Sequence, residues 1–417
     1  MSKKIIVSKA VLNTDSGIFE DKAIVVENGK FFAFIATNEI SQWTDAQIID
    51  LKTKYLLPGL INTHVHLEFS ASTNPYQDYI QESSDEKLIL ALKNADALLQ
   101  SGVTTARDAG SSWKALVLTK EIVKQRSKFP RLIMAGPPLT VTGGHLHFLG
   151  GEADSIPELI KAVRLRKKKG CESIKIMVTG GQMTPRSLPE RTKYTVEEIK
   201  TVVDTATHLG MTTFAHCHTT EGFVNSIEGN IGCIEHCSCF VLAKNGLLER
   251  VWEEKVMNQF KGKQQFFMGG LSSGWHRFDD LHSGKRKPNE KEIFWLEQKA
   301  RLFKNFIKLV ELGMRPVVGT DAGVTLTTFD ETWFELELMV KAGLSPLDAL
   351  KAATINGAEC LEMEDAIGKI DIGYSADLIA ATENPLKNIS TLKNVEWVMH
   401  EGEIVGTVKN NMKKYEK

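Results

Sequence analysis

The 417-residue chain has no apolar run approaching the roughly 18 residues that span a bilayer. Its opening Met1-Ser2-Lys3-Lys4-Ile5-Ile6-Val7 is too short in apolar residues for a secretory signal. These absences predict a cytoplasmic protein with no membrane partner. Cysteine is scarce: there are six, four of them crowded between Cys217 and Cys239, a spacing that excludes a secreted disulfide framework and predicts reduced thiols. Neither sign of charge is in excess. The 51 Lys and Arg against 52 Asp and Glu give a net −1, which leaves no global field for nucleic acid. A composition of 42% hydrophobic and 25% charged residues excludes a disordered or collagen-like chain. The length suits two or three average domains, or one large barrel filling most of the chain.

The two ends of the chain read alike. Near the start, Lys22–Val26 and Phe31–Ile35 flank Asn28-Gly29, a type I′ hairpin signal. Near the end, Ala376–Ala380 reads as a strand, and Val395–His400 turns through Glu401-Gly402 into Glu403–Val405. Between them, short apolar runs alternate with amphipathic stretches. The strand candidates are Leu56–Thr63, Thr104–Arg107, Leu132–Met134, Ser173–Val178, Thr212–Ala215, Cys233–Glu235, Gln265–Met268 and Arg315–Val318. Helices are predicted over Glu86–Leu99, Trp113–Ser127, Thr195–Leu209 and Lys291–Leu312, the last two closed by Gly210 and Gly313. Strands and helices in alternation predict an α/β fold, a (β/α)8 TIM barrel. The basic run Arg164–Lys169 precedes Gly170 and reads as a solvated helix C-terminus rather than a nucleic-acid patch.

In such a barrel the chemistry sits where strands end, and these tips are rich in metal ligands. His64 and His66 share a face at the first tip, a geometry that suits one ion. Lys175 lies in an apolar strand, where a bare lysine would have to be neutral, paired with a carboxylate, or converted by carbon dioxide to a carbamate able to bridge two ions. His216 and His236 each follow an apolar strand and form a second ligand pair. Asp321 follows another, in Gly319-Thr320-Asp321-Ala322-Gly323, and offers a carboxylate as both ligand and base. Three nitrogen or oxygen ligands per ion with an open position is the pattern of catalytic zinc.

The order of motifs resembles the amidohydrolase superfamily nearly end to end. The resemblance rests on Leu57-Pro58-Gly59-Leu60-Ile61-Asn62-Thr63-His64-Val65-His66, Gly102-Val103-Thr104-Thr105-Ala106-Arg107-Asp108, Gly143-Gly144-His145, Ile174-Lys175-Ile176-Met177, Ile234-Glu235-His236, Gly319-Thr320-Asp321 and the tail Gly368 to Leu378. It points to the binuclear branch with a carboxylated lysine, nearest to prolidase-like and Xaa-Arg carboxypeptidase-like members and more distantly to imidazolonepropionase. Such a resemblance implies a small β-sandwich built from both termini, residues 1–56 and 366–417, around a barrel of residues 57–365. It implies two divalent ions, taken as zinc, with His64, His66 and Asp321 on the more buried one and His216 and His236 on the other. Lys175, as N6-carboxylysine, bridges them in this reading, and His145 binds or polarises a small-molecule substrate. A hydroxide shared by the ions then attacks an amide or peptide carbonyl, with Asp321 as catalytic base returning the proton to the departing nitrogen. Around His145 the sequence departs from the family pattern, with Leu146-His147-Phe148 following it.

Competing readings are a cyclic-amide hydrolase or deaminase of the imidazolonepropionase kind, and a non-catalytic binding or assembly module. Lys175 argues against the first and the full ligand set against the second. His218 shares the face of His216, as a substrate contact or as structural polarity, whereas Cys217 points away into helix packing. A structural zinc held by Cys233, Cys237, Cys239 and His236 is disfavoured by their crowding on one short segment. His208 and His400 read as surface or packing residues, and Arg107 and Asp108 as loop ties. The polar stretch Gly269 to Glu290, with Trp275, His276, Arg277 and His282, is expected to cover the mouth, His276 being its substrate contact. Large barrels often assemble, so a homo-oligomer is also expected.

Overall fold

In a computed structural model that describes residues 3–118 and 129–405, both chain ends enter one mixed sheet. Its N-terminal strands are β1 (Lys4–Asn13), β2 (Ile18–Glu20), β3 (Ala23–Glu27), β4 (Lys30–Ile35) and β5 (Gln47–Pro58). The hairpin between β3 and β4 turns at Asn28 and Gly29 with φ of 52° and 77°, the left-handed pair that a type I′ turn requires.

The barrel follows: β6 (Leu60–Val65), β7 (Val103–Asp108), β8 (Arg131–Met134), β9 (Ser173–Met177), β10 (Thr212–Cys217) and β11 (Cys233–His236). A hairpin of β12 (Phe240–Leu242) and β13 (Leu248–Arg250) then stands outside it, before β14 (Phe266–Met268) and β15 (Arg315–Val317). The eight barrel strands pair in parallel as β6-β7-β8 and β9-β10-β11-β14-β15. Backbone bonds close both seams. Leu139 donates to the Lys175 carbonyl and accepts from Met177, each at 2.8 Å, while Thr63 donates to Val318 at 2.7 Å and Asp321 to His64 at 2.9 Å. The chain ends with β16 (Leu378–Ala381), β17 (Trp397–His400) and β18 (Glu403–Val405), giving the terminal sheet the order β18-β17-β16-β5-β1-β3-β4. Phe31 on β4 and Trp397 on β17 share one core although they lie near opposite ends of that order, so the sheet curls into a sandwich.

The two-residue period of the strands sorts the core. Ile174, Ile176, Ala215 and Cys217 face outward onto helix residues such as Ile199, Val202 and Phe223, whereas Phe214, Cys233, Met268 and Val317 fill the barrel interior. Lys175 sits opposite Phe214 across β9 and β10 and therefore points inward with it. The helices Ser84–Gln100, Val196–His208 and Glu290–Glu311 begin at the capping boxes Ser83/Glu86, Thr195/Glu198 and Asn289/Glu292.

Two expectations change. The run Leu56–Thr63 is two strands, because β5 ends in the sandwich at Pro58 and β6 starts in the barrel at Leu60. A side chain on Gly59 between them would meet Thr104 Oγ1 at 2.2 Å, so only glycine passes there. Arg166, in the basic run read as solvated, is buried and its Nε donates to the Pro137 carbonyl at 2.9 Å. Of the helix expected over Trp113–Ser127, residues 116–118 are helical and 119–127 lie outside the described residues. No helix among the described residues is long and apolar enough to cross a membrane.

Candidate metal centre

The C-terminal tips of β6, β9, β10 and β11 and the turn after β15 face one cavity of about 550 Å³, lined by His66, His145, Lys175, His216, His218, His236 and Asp321 among others. His64, His236 and Asp321 offer ligand atoms all within 4.8 Å of one another. Asp321 Oδ1 lies 3.3 Å from Nε2 of both His64 and His66. His216 lies edge-on to His236 with ring centroids 4.7 Å apart, and His145 lies 4.6 Å from His216. His236 and Asp321 both hold left-handed backbone, at φ of 71° and 61°, an unfavourable conformation for residues with a Cβ that turns each side chain out of its strand toward the cavity.

Hydrogen bonds at the far side of each ring set which nitrogen remains open. Nδ1 of His64 contacts Oε2 of the fully buried Glu235. A carboxylate there favours the proton on Nδ1 and leaves a lone pair on Nε2, the usual arrangement behind a metal-binding histidine. Nδ1 of His66 faces the Gly110 carbonyl at 3.4 Å, and Nε2 of His216 faces the Gly180 carbonyl at 3.0 Å. His145 and His218 are held by Thr184 and Ser238, each at 2.9 Å from Nδ1. His276 stands apart. Its nitrogens contact Asp279 and Glu331 at 2.9 and 2.8 Å, and it does not line the cavity, although its neighbours Gly274, Arg277 and Phe278 do.

Burial governs the electrostatics. It pushes His145, His216 and His236 well below the ordinary imidazole value and takes His218 to about 3, so all four are neutral near pH 7. It lowers Lys175 to about 8, against the pull of Glu235 and Asp321. Burial also works against ionisation of Asp321, but His64 and His66 hold its carboxyl well below the usual range. Two buried polar atoms here make no hydrogen bond: His64 Nε2, which faces Asp321 Oδ1 at 3.3 Å as one ligand atom faces another, and Lys175 Nζ. Leaving them bare costs a few kcal/mol each. Neutral imidazoles, an ionised aspartate and an amine able to become a carbamate are the donors that a divalent cation needs, so the residues fit such an ion.

The chain matches the amidohydrolase family over residues 55–262 and 283–408. It belongs to that family. Ochratoxinase from Aspergillus niger is 26% identical over 383 residues, covering 83% of this chain and 74% of that one. Imidazolonepropionase from Geobacillus sp. (strain WCH70) is 22% identical, covering 87% of this chain and 84% of that one. The crystal structure of a Xaa-Pro dipeptidase with bound methionine in the active site superposes with a TM-score of 0.82 at 27% identity, covering 97% of this chain and 99% of that one.

Three features of this amidohydrolase's site, two of them behind the cavity wall, go beyond what the sequence pattern shows. Glu235 was visible only as part of Ile234-Glu235-His236. The signal that marks it is an acid on a four-residue buried strand, which must find a partner; it finds His64 and, at 3.1 Å, Arg107. Arg107 is thus more than a loop tie, since it also donates to the Thr63 carbonyl at 2.8 Å beneath His64. Arg250 and Lys299, from β13 and the helix Glu290–Glu311, also line the cavity. Cys233, Cys237 and Cys239 are buried and unpaired, and none joins the candidate metal group found among the described residues.

Proposed function

We propose that the chain hydrolyses the C–N bond of an amide or peptide of the dipeptide or N-acyl amino acid type with the help of two divalent ions, zinc being the expected metal. The observation that carries this reading is Lys175 Nζ, buried without a partner beside the histidines and Asp321. An amine in that position is best accounted for as a carbamate bridging two ions. His64, His66 and Asp321 would hold one ion and His216 and His236 the other, with Lys175 as N6-carboxylysine between them. Bound there, the ions supply an acidified water and polarise the scissile carbonyl.

The chain's own residues do the rest. Asp321 accepts the attacking water's proton at its carboxylate and passes it to the departing nitrogen, while Ser273 Oγ, 3.4 Å from Oδ2, steadies the carboxylate. His145, neutral and anchored by Thr184, points an imidazole edge into the cavity where the substrate carbonyl would lie. His218 narrows the wall beside His216, at 4.3 Å between ring centroids. The ochratoxinase and Xaa-Pro dipeptidase relatives, at 26% and 27% identity, favour an open-chain amide over the cyclic amide suggested by imidazolonepropionase at 22%.

The test is reconstitution with zinc and bicarbonate followed by a panel of dipeptides and N-acyl amino acids. Two equivalents of bound metal with turnover of at least one member of the panel is the expected result. Less than one equivalent, with no turnover at any metal concentration, overturns the reading.

A further inference from the structure

One wall of the cavity gathers three basic side chains, none of them in an ion pair among the described residues. Arg250, Arg277 and Lys299 line it from three different elements. The carboxylates on neighbouring elements make their close contacts with other groups, Glu335 acting on Lys299 only through space. Glu249 reaches Arg301 at 4.0 Å, Asp279 and Glu331 are taken by His276, and both oxygens of Glu335 accept backbone amides of Leu271 and Ser272 at 2.8 and 2.7 Å. Among the described residues, none of the three cations has a carboxylate within ion-pair distance.

Their donors are largely open. Arg250 Nε is buried with no partner, while its guanidinium stacks 4.5 Å over Phe240 and spends one Nη on the Gln298 carbonyl at 3.3 Å. Lys299 gives one proton to the Ser273 carbonyl at 3.0 Å and keeps two. Burial and repulsion from Arg250 and Arg277, against the pull of Glu335, lower Lys299 to about 7, so a further anion would restore its charge. Like charges gathered in a half-buried wall repel one another unless an anion joins them.

We propose that this wall is an anion subsite for a second carboxylate on the substrate, so that the preferred amides release an acidic amino acid such as glutamate or aspartate. The inference rests on the amide-hydrolase reading above. Any amino acid brings one carboxylate, and three cations call for more than one negative charge. Arginine's fork suits a carboxylate in particular.

Calorimetric titration of the metal-loaded protein with L-glutamate and with L-glutamine isolates that charge, because the two differ in little else. Glutamate should bind at least tenfold more tightly, with the advantage shrinking as salt is raised and the ratio falling toward one in Lys299→Met and Arg250→Met. If these buried variants misfold by circular dichroism, Arg277→Met at the exposed rim gives the same reading. Equal affinities, or a preference that survives all three substitutions, overturn the subsite whether or not any amide is cleaved. Turnover of the dipeptide and N-acyl amino acid panel, measured alongside, tests the catalytic reading separately: a glutamate preference in binding with no member of the panel hydrolysed overturns that reading and leaves the subsite standing.

Discussion

Asp321 and Glu235 are both carboxylates against His64, yet they are placed for different work. Asp321 faces the cavity, and replacing it with Asn removes a base while leaving an oxygen where a ligand is needed. Asp321→Asn should keep much of the bound metal but lose about 10²–10⁴ in kcat, checked by metal analysis beside steady-state rates. Normal turnover would remove Asp321 from the mechanism. Glu235 never reaches the cavity. Burial opposes its ionisation, but the hydrogen bond and charge of His64, with Arg107 and Lys175, hold it well below the usual carboxylate range. Glu235→Gln weakens the acceptor that orients His64 and leaves Arg107 buried without its counter-charge. Metal affinity should fall about 10–100-fold, measured by competition with a chromogenic chelator, and an unchanged affinity would contradict the orienting role. The difference also explains what could be read in advance. Polar residues at strand tips announce themselves against apolar runs, so the residues read as ligands were all candidates from sequence. Glu235 lies inside a strand and its meaning depends on two partners, His64 and Arg107, that only the closed barrel brings together.

At the scale of elements, periodicity located all eight barrel strands to within a few residues, since each is short, apolar and bounded by turns or helices. It did not show that β5 and β6 belong to different layers, because the division at Gly59 depends on the approach of Thr104 rather than on local pattern. The hairpin β12–β13 escaped for a similar reason: it is tied to the helix Glu290–Glu311 through Arg250 and Gln298 and has no alternation of its own to announce it. What fastens β16 and β17 to the start of the barrel strands was equally hidden. Asp377 accepts from Arg131 at 3.1 Å and from the Glu401 amide at 2.8 Å, and it contacts His400 Nδ1 at 2.9 Å, so His400 is a packing residue with a partner. Burial opposes ionisation of Asp377, but His400 and Arg131 hold it well below the usual carboxylate range. A carboxyl depressed in the folded state adds stability above its unfolded pKa of about 3.9 and loses it as pH falls toward the folded value. Asp377→Asn should therefore cost about 3–5 kcal/mol at pH 7 by breaking a buried pair, read as a lower denaturant midpoint. The gap between wild type and variant should narrow below about pH 4. A gap that stays constant down to pH 3 would assign the loss to packing alone.

Over the whole molecule, the chemistry and the closure of the fold lie at opposite ends of the barrel. The candidate ligands sit at the C-terminal tips of β6, β10, β11 and the turn after β15, with Lys175 within β9. The sandwich, by contrast, grips the N-terminal starts, through Gly59 donating to the Asp377 carbonyl at 2.9 Å and Arg131 reaching Asp377 at the foot of β8. The mouth is the end with open buried donors, whereas the foot is tied to the sandwich by the contacts of Asp377. Ions bound as proposed would join five separate elements and should act as cross-links for the mouth alone. Free metal at a thousandfold over its dissociation constant adds about 4 kcal/mol to folding stability, all of which a chelator removes. Chelation should thus lower Tm by several degrees. It should raise amide exchange in the strand ends carrying His216 and His236 and the turns carrying His145, Ser273 and Asp321, while core amides of the sandwich, such as those of Ile6, Ile24 and Ile379, keep their protection. Exchange measured by mass spectrometry with and without chelator reads both ends in one experiment. Equal loss of protection in mouth and sandwich would mean that the ions support the entire fold, and the division of labour argued from the two ends would then be wrong.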